Sequence, residues 1–225
     1  MEEVVRVSKS FERLCVLVLD GSGSMEDLHP QSGVKKAEAI SQIVRDLITA
    51  LKAHRESPNM FMTILTYDDR IDGNPIILPT PVVDMDENAD YNPMNLNGVM
   101  RGGQTAIGDV LEEAFNEALN FTTDPSQQYP RTAIILLMTD GNNNAGKDPR
   151  QVSQEIHQKL IKGELKGKIR RICALGFGDP NDKESLDADL LRGIVTEPAD
   201  GPKGNFKLTM EPPEIVDFFL RSITK

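Results

Sequence analysis

The stretch Leu14-Cys15-Val16-Leu17-Val18-Leu19-Asp20-Gly21-Ser22-Gly23-Ser24-Met25 decides the fold of this chain. Its first six residues are all apolar and do not alternate with polar ones, which predicts a β-strand buried on both faces, as in a parallel sheet. The run then ends in an aspartate, two serines and two glycines, at the point where such a sheet opens to a ligand crevice. Carboxylate and hydroxyl oxygens suit a hard cation such as Mg²⁺ better than zinc or copper.

Strands and helices alternate along the rest of the chain. Further strands are predicted at residues 60–67, 76–78, 133–139, 169–177 and 206–208, and the prolines around 76–78 restrict that strand to a short edge. Helices are predicted at 34–54, 107–119, 149–162, 186–194 and from 212 onward. This alternation predicts an α/β fold: a doubly wound, Rossmann-like, mostly parallel sheet with a short antiparallel edge strand and helices on both faces.

Composition narrows the class of protein. The formal net charge is −10 with a pI near 4.8, which argues against nucleic acid as a partner. No apolar run reaches the roughly 20 residues of a membrane span, and the N-terminus does not look like a signal peptide. Cys15 and Cys173 lie in predicted core strands, so we expect buried thiols rather than a disulfide. The expected compartment is the cytoplasm.

Five oxygen-bearing side chains are predicted to meet at the carboxyl edge of the sheet. One group follows the first strand, one residue opens the helix at 107 after two glycines, and one follows the strand at 133–139. We expect the glycines of the first group to allow a tight bend, and Gly102 and Gly103 to allow a close approach. The five residues are Asp20, Ser22, Ser24, Thr105 and Asp140.

The pattern Asp20-x-Ser22-x-Ser24, followed by Thr105 and Asp140-Gly141, resembles the metal-ion-dependent adhesion site of von Willebrand factor A (VWA) domains. The resemblance runs from about Arg13 to the last helix, and all five motif positions match. It implies a single VWA domain over residues 1–225, with a core at about 13–224 and an N-terminal extension at 1–12. It also implies a rim around a ligand site, formed by Gly21, Gly103, Gln104, Gly141 and Asn142.

The resemblance further implies a Mg²⁺ ion, with Mn²⁺ or Ca²⁺ as substitutes. Ser22 and Ser24 would hold the ion directly, Thr105 would do so in a high-affinity state, and the two aspartates would bind directly or through water. A glutamate or aspartate side chain of a protein partner would fill the open position. In family members that switch, the metal loops and the last helix move together.

The chain looks most like the free-standing intracellular, bacterial type of VWA protein. That likeness implies an adaptor in a stress-response or chaperone/ATPase-linked system. The implied partners are AAA+ ATPases of the MoxR type, or kinase and phosphatase modules. Neither a nucleic acid nor a membrane span is expected.

Two other functions stay open at this point, a Mg²⁺-dependent phosphatase or hydrolase and a scaffold with a structural metal. The haloacid dehalogenase class has a second aspartate where this chain has Ser22, so the proton donor would be lacking. His29 is not interpreted as a base for Ser22 or Ser24, and no Gly-Lys-Ser/Thr phosphate loop is present. We therefore predict that the chain is not an enzyme.

Weaker signals complete the prediction. Asp68, Asp69 and Asp72 are interpreted as a solvated turn rather than a second cation site. Residues 84–97 are predicted to form an acidic loop with a turn or two of helix, and residues 142–144 a plain loop. His29 is not expected to contact the ion, and Phe218 is expected off the apolar face of the last helix.

Overall fold

The structure is a computed structural model that describes residues 10–30, 32–70, 75–161, 165, 167–178, 186–195 and 204–224. Its six strands form one sheet: β1 (Glu12–Asp20), β2 (Met60–Tyr67), β3 (Ile77–Pro81), β4 (Arg131–Thr139), β5 (Ile169–Gly176) and β6 (Phe206–Leu208). Their spatial order is β3-β2-β1-β4-β5-β6. Among the strand pairs of the described residues, only β2–β3 is antiparallel. The predicted α/β fold, with its antiparallel edge strand, is confirmed.

Strand β1 lies at the centre of the sheet, and all nine of its residues are buried. It begins at Glu12, which the sequence analysis assigned to the N-terminal extension. Its first two residues, Glu12 and Arg13, are polar, but both are buried in the sheet because their side chains have hydrogen-bond partners. Arg131 Nε donates to Glu12 Oε2 at 2.5 Å, and Arg13 Nη1 donates to the Ile223 carbonyl at 2.6 Å. These partners lie more than 100 residues away, so the local sequence pattern could not reveal them.

In the part of the chain that the structure describes, five α-helices cover the sheet: α1 (Lys36–Lys52), α2 (Ile107–Thr123), α3 (Pro149–Ile161), α4 (Ala188–Ile194) and α5 (Pro212–Thr224). Helices α1 and α5 bury their apolar faces in one core, and α2, α3 and α4 form the other core on the opposite face. Burial on both faces explains why β1 and β4 are apolar without alternation. Within the described residues, none of these helices combines the length and apolarity that crossing a membrane would need.

Two further details differ from the sequence prediction. The segment predicted as an acidic loop contributes Met85, Tyr91 and Met94 to the core beside α1, between single 3₁₀ turns at Val82–Asp84 and Leu96–Gly98. Phe218 is buried, and its ring centroid lies 5.8 Å from that of Phe219. The expectation of an exposed Phe218 is wrong because α5 packs on both the sheet and α1, which buries a wider face of the helix.

Both cysteines are free and buried, as predicted. Cys15 lies on β1 and Cys173 on β5, with β4 between them. Two strands apart means roughly 9–10 Å, which is beyond the reach of a disulfide. Burial raises the pKa of both thiols above the usual range. The two cysteines therefore behave as small apolar core residues.

Candidate metal centre

The strand order reverses between β1 and β4, and this switch point contains the predicted site. Asp20 is the last residue of β1, and Asp140 directly follows β4. The chain leaves β1 toward β2 on one side, whereas β4 lies on the other side, so the two connections diverge and leave a crevice. In doubly wound sheets this crevice is where ligands bind.

Asp20 is fully buried and closely held. Its Oδ1 accepts a hydrogen bond from the Ser22 amide at 2.8 Å. Its Oδ2 accepts from Thr139 Oγ1 at 2.5 Å and from the Tyr67 hydroxyl at 3.4 Å. Burial, and then the nearby charge of Asp140, raise the pKa of Asp20 to about 6. A carboxylate in these surroundings is more easily kept ionised when a cation is near it.

The next three site residues form a chain of direct contacts. Ser22 Oγ lies 3.1 Å from Ser24 Oγ, and Ser24 Oγ donates to Asp140 Oδ1 at 2.6 Å. The other oxygen of Asp140, Oδ2, accepts from Lys36 Nζ at 2.6 Å. Both hydroxyls and the Asp140 carboxylate therefore converge on one small volume, together with a lysine that the sequence analysis did not single out.

Thr105 completes the group from the loop before α2. A Cβ atom added to Gly141 would lie 3.5 Å from Thr105 Oγ1 and 3.9 Å from Ser24 Oγ. Gly141 therefore lies beside both hydroxyls, and its missing side chain leaves the crevice open. The structure brings all five predicted side chains to the same edge; that they bind a metal stays a prediction.

The predicted rim residues divide into two groups. Gln104 and Asn142 are exposed, and Gly103 and Gly141 are half-buried, as a rim requires. Gly21 differs because it is buried, and a Cβ atom there would lie 2.9 Å from the Pro93 carbonyl oxygen. Its lack of a side chain serves close packing, whereas the sequence analysis expected a tight bend.

Asp68, at the end of β2, is a buried anchor that the sequence analysis missed. Its side chain is fully buried and makes ion pairs with Arg70 at 2.5 Å and with Arg101 at 3.2 Å. The amides of Gly102 and Gly103 both donate to its Oδ2 at 3.2 Å. The interpretation of Asp68 as part of a solvated turn is therefore wrong.

The pKa of Asp68 shows which of these effects dominates. Burial alone would raise it, but the hydrogen bonds from Arg70 and Gly103 and the charge of Arg101 outweigh burial and lower it to about 2. The feature of the sequence that could have indicated this role is the position of Asp68 directly after a predicted strand. Arg101, 33 residues away, could not be assigned as its partner from local pattern. Asp69 is exposed, and Asp72 lies outside the described residues.

Two asparagines after Asp140 hold the Thr105 loop. Asn144 Oδ1 accepts from the Thr105 amide at 2.7 Å, and Asn143 Oδ1 accepts from the Ile107 amide at 2.8 Å. They satisfy backbone donors at the start of α2, a task that a cap residue within the helix usually performs. Residues 143–144 are thus a brace between two site loops. The run of three asparagines directly after Asp140 was the feature of the sequence that could have indicated this role.

His29 is close to the first site loop but is engaged elsewhere. Its Nδ1 accepts from the Ser32 amide at 3.3 Å, so its Nε2 carries the proton and donates to the Met210 carbonyl at 3.0 Å. Its ring centroid lies 5.5 Å from that of Phe177. His29 therefore connects the β1–α1 loop to the residues just before α5, and neither ring nitrogen is available to act as a base for Ser22 or Ser24.

The donor set is rich in hydroxyls. In the part of the chain that the structure describes, no group of three or more His, Cys, Asp or Glu side chains could hold a metal ion. The crevice instead combines two carboxylates with three hydroxyls. That combination fits a hard cation and offers nothing to a soft one.

Comparison with known proteins identifies the class. The profile of the von Willebrand factor type A domain matches residues 15–209. The chain belongs to the VWA family, as its sheet and the position of its crevice also indicate. Among curated proteins, none matches the chain in sequence.

Solved structures share the fold at low sequence identity. The PilB minor pilin from Streptococcus sanguinis is 14% identical with a TM-score of 0.65, covering 95% of this chain and 60% of the pilin. Manganese-loaded Plasmodium vivax TRAP protein is 19% identical with a TM-score of 0.58, covering 94% and 73%. Proximal thread matrix protein 1 from the mussel byssus, with a zinc occupied MIDAS motif, is 16% identical with a TM-score of 0.56, covering 95% and 46%. The chain thus spans less than two thirds of the pilin and of the mussel protein.

Proposed function

We propose that this chain is a Mg²⁺-dependent protein-interaction module that binds an acidic side chain of a partner. The observation that carries the proposal is the convergence of two carboxylates and three hydroxyls at the switch point of a VWA fold. The proposed ligands of the ion are Asp20, Ser22, Ser24, Thr105 and Asp140.

The chemistry of the donors supports Mg²⁺, with Mn²⁺ or Ca²⁺ as substitutes. Asp20 and Asp140 would balance the charge of the ion, while the neutral hydroxyls would leave it electrophilic. A bound Mg²⁺ commonly retains waters that a stronger ligand can displace, and it would supply the attraction for a carboxylate. The acidic surface of the chain would disfavour anions elsewhere, which directs an acidic partner to this site.

The similar structures support a divalent ion at this place. The TRAP protein is described as manganese-loaded, and the mussel protein as having a zinc occupied MIDAS motif. By analogy, we propose that the crevice of this chain takes a divalent ion. The preference for Mg²⁺ rests on the oxygen-only donor set.

We further propose a cytoplasmic adaptor role, in a stress-response or ATPase-linked system. Two buried free thiols, Cys15 and Cys173, suit a reducing compartment. The partner classes to test are MoxR-type AAA+ ATPases and kinase or phosphatase modules, each presenting a glutamate or aspartate.

A binding role is favoured over catalysis by the hydrogen bonds of the site. Ser24 donates to Asp140, and Ser22 contacts Ser24, so neither hydroxyl is paired with a base of the kind that hydrolases use. His29 directs both ring nitrogens away, to Ser32 and Met210. We therefore propose that the domain is not an enzyme, and a phosphatase assay in Mg²⁺ is the check.

The test has two stages and one matched control. Calorimetric titration with Mg²⁺ and Mn²⁺ should show one site in the wild type and none in Asp140→Ala. Asp46→Ala, which removes the same charge from an exposed position on α1, should bind as the wild type does. Peptides are then selected on the wild type in Mg²⁺ and eluted with EDTA.

The outcomes separate the three functions. Peptides that share an essential glutamate or aspartate, and that fail to bind Asp140→Ala, would establish the adhesion mechanism. Metal binding that stabilises the fold without any metal-dependent peptide would favour the scaffold. Hydrolysis of a phosphoester by the wild type, lost in Asp140→Ala, would favour the enzyme.

A further inference from the structure

Lys36 occupies a position inside the site that the proposed function does not explain. It is the first residue of α1, and its Nζ lies 2.6 Å from Asp140 Oδ2. The Lys36 side chain is 16% exposed and that of Asp140 is fully buried, so water weakens this ion pair little. A second carboxylate, that of Asp27, lies 3.8 Å from the same nitrogen but is mostly exposed.

The start of a helix is an unfavourable place for a cation. The aligned peptide dipoles make that end partly positive, so acidic residues are preferred there. Here Lys35 is the N-cap, with no side-chain cap hydrogen bond, and Lys36 follows it. The placement of Lys36 is explained by its contact with Asp140, because helix formation alone would favour an acidic or neutral residue.

The charges of the crevice explain why a cation is needed there. Asp20 and Asp140 are both buried, and their charges repel each other. One ammonium group balances half of this charge and occupies one oxygen of Asp140. A divalent cation would need the same carboxylate, so the ammonium and the metal ion compete for it.

We propose that Lys36 is a built-in counter-cation of the metal centre, which holds Asp140 in place in the metal-free protein and lowers the affinity for divalent ions. The inference rests on the proposed metal site and deepens it. With a divalent ion present, Lys36 remains tethered beside the crevice, which then carries a formal charge of +1. Lys36 thereby makes the site selective for an anionic ligand, since a carboxylate would restore neutrality.

The test compares three variants with matched chemistry. Lys36→Met removes the charge and keeps most of the side-chain length, whereas Lys36→Arg keeps the charge. Lys35→Met removes the adjacent lysine, which pairs with the exposed Glu26 and not with the site, and is the control. The measurements are the Kd for Mn²⁺ by calorimetry and the Tm in EDTA and in saturating Mn²⁺.

We expect Lys36→Met to bind Mn²⁺ about tenfold or more tightly, since it loses a positive charge within a few ångströms of the ion. Lys35→Met should stay within about twofold of the wild type, because exposed charges at longer range are screened. Lys36→Arg should bind like the wild type. In EDTA, Lys36→Met should melt below Lys35→Met, and saturating Mn²⁺ should raise its Tm more than that of any other variant.

The failures of the two ideas are distinguishable. Lys36→Met binding no tighter than Lys35→Met, with normal wild-type binding, would overturn the role of Lys36 and leave the metal site intact. Weaker binding by Lys36→Met would also overturn it, since Lys36 would then support the metal. Mn²⁺ binding by Lys36→Met but not by the wild type would support the competition, and it would overturn the proposed function because the natural chain would then hold no ion. Binding by neither Lys36→Met nor the wild type would end both proposals.

Discussion

At the scale of single residues, some side chains that would bind the ion also destabilise the metal-free fold. Asp20 is the clearest case, because a buried carboxylate beside another carboxylate is costly to keep ionised. The residues that cost stability in the metal-free protein are those that would bind the ion. Such conflicts are common where a protein has a site.

Asp20→Asn should therefore stabilise the metal-free protein. The pKa of Asp20 is raised to about 6, so at pH 7 the folded state bears an ionised group that is more stable in the unfolded chain. Removing the charge should raise the free energy of unfolding by about 1–3 kcal/mol, from the pKa difference. Chemical denaturation in EDTA at pH 7 measures it. The same variant should lose Mn²⁺ binding, and an unchanged stability would contradict the burial argument.

Two glycines near the site give a second test at this scale. A Cβ atom on Gly21 would lie 2.9 Å from a backbone oxygen of Pro93, which cannot easily move. The atoms nearest to a Cβ atom on Gly103 would be those of the Asp69 carboxylate, the far end of an exposed side chain. We expect Gly21→Ala to cost about 1–3 kcal/mol of stability and Gly103→Ala less than about 1 kcal/mol. Equal losses of stability in denaturant titrations would contradict this expectation, because the Pro93 backbone would then yield as easily as the Asp69 side chain.

At the scale of elements, the site depends on braces between loops. Asp68, after β2, holds the amides of Gly102 and Gly103, and the Gly103 carbonyl accepts from the Gly23 amide at 3.0 Å. Asn143 and Asn144 hold the same loop from the β4 side. The Thr105 loop is thus positioned by three neighbouring loops, those that follow β1, β2 and β4.

The Asp68 brace predicts a particular response to acid. Because the pKa of Asp68 is lowered to about 2 in the fold, its contribution is complete above the unfolded pKa near 4 and is lost as the pH falls toward 2. Asp68→Asn should cost about 1–3 kcal/mol at pH 7, and its difference in unfolding free energy from the wild type should shrink between pH 4 and 2. The control is Asp69→Asn, the exposed neighbour, which should change little at any pH.

The elements also show what could be predicted from sequence. Continuous apolar runs and helical periodicity predicted the strands and helices, because burial on both faces of a parallel sheet leaves a local pattern. Because Asp20 and Asp140 come at the ends of two predicted parallel strands, they could be assigned to the same edge of the sheet. The sequence analysis missed or misinterpreted three polar residues, Lys36, Arg101 and Asp68. Each contacts a partner that is distant in sequence, and a polar residue near a loop is easily interpreted as solvated when that partner is not known.

At the scale of the whole molecule, the sheet separates two cores and gathers the polar chemistry at one edge. One core lies against α1 and α5, and the other against α2, α3 and α4. His29 joins the first site loop to the residues before α5. The first site loop therefore has a contact with the residues just before the last helix.

The buried thiols give the chain an internal reporter of its own opening. Burial keeps Cys15 and Cys173 protonated and out of reach, so a thiol reagent reacts only when the sheet separates. When closing is faster than labelling, the rate of modification follows the population of open molecules, and an ion that binds only the folded state lowers it by the factor 1 + [M]/Kd. Labelling should therefore slow in Mg²⁺ for the wild type and not for Asp140→Ala. Two sulfur atoms in the core, well away from the crevice, would then measure how firmly the crevice holds its ion.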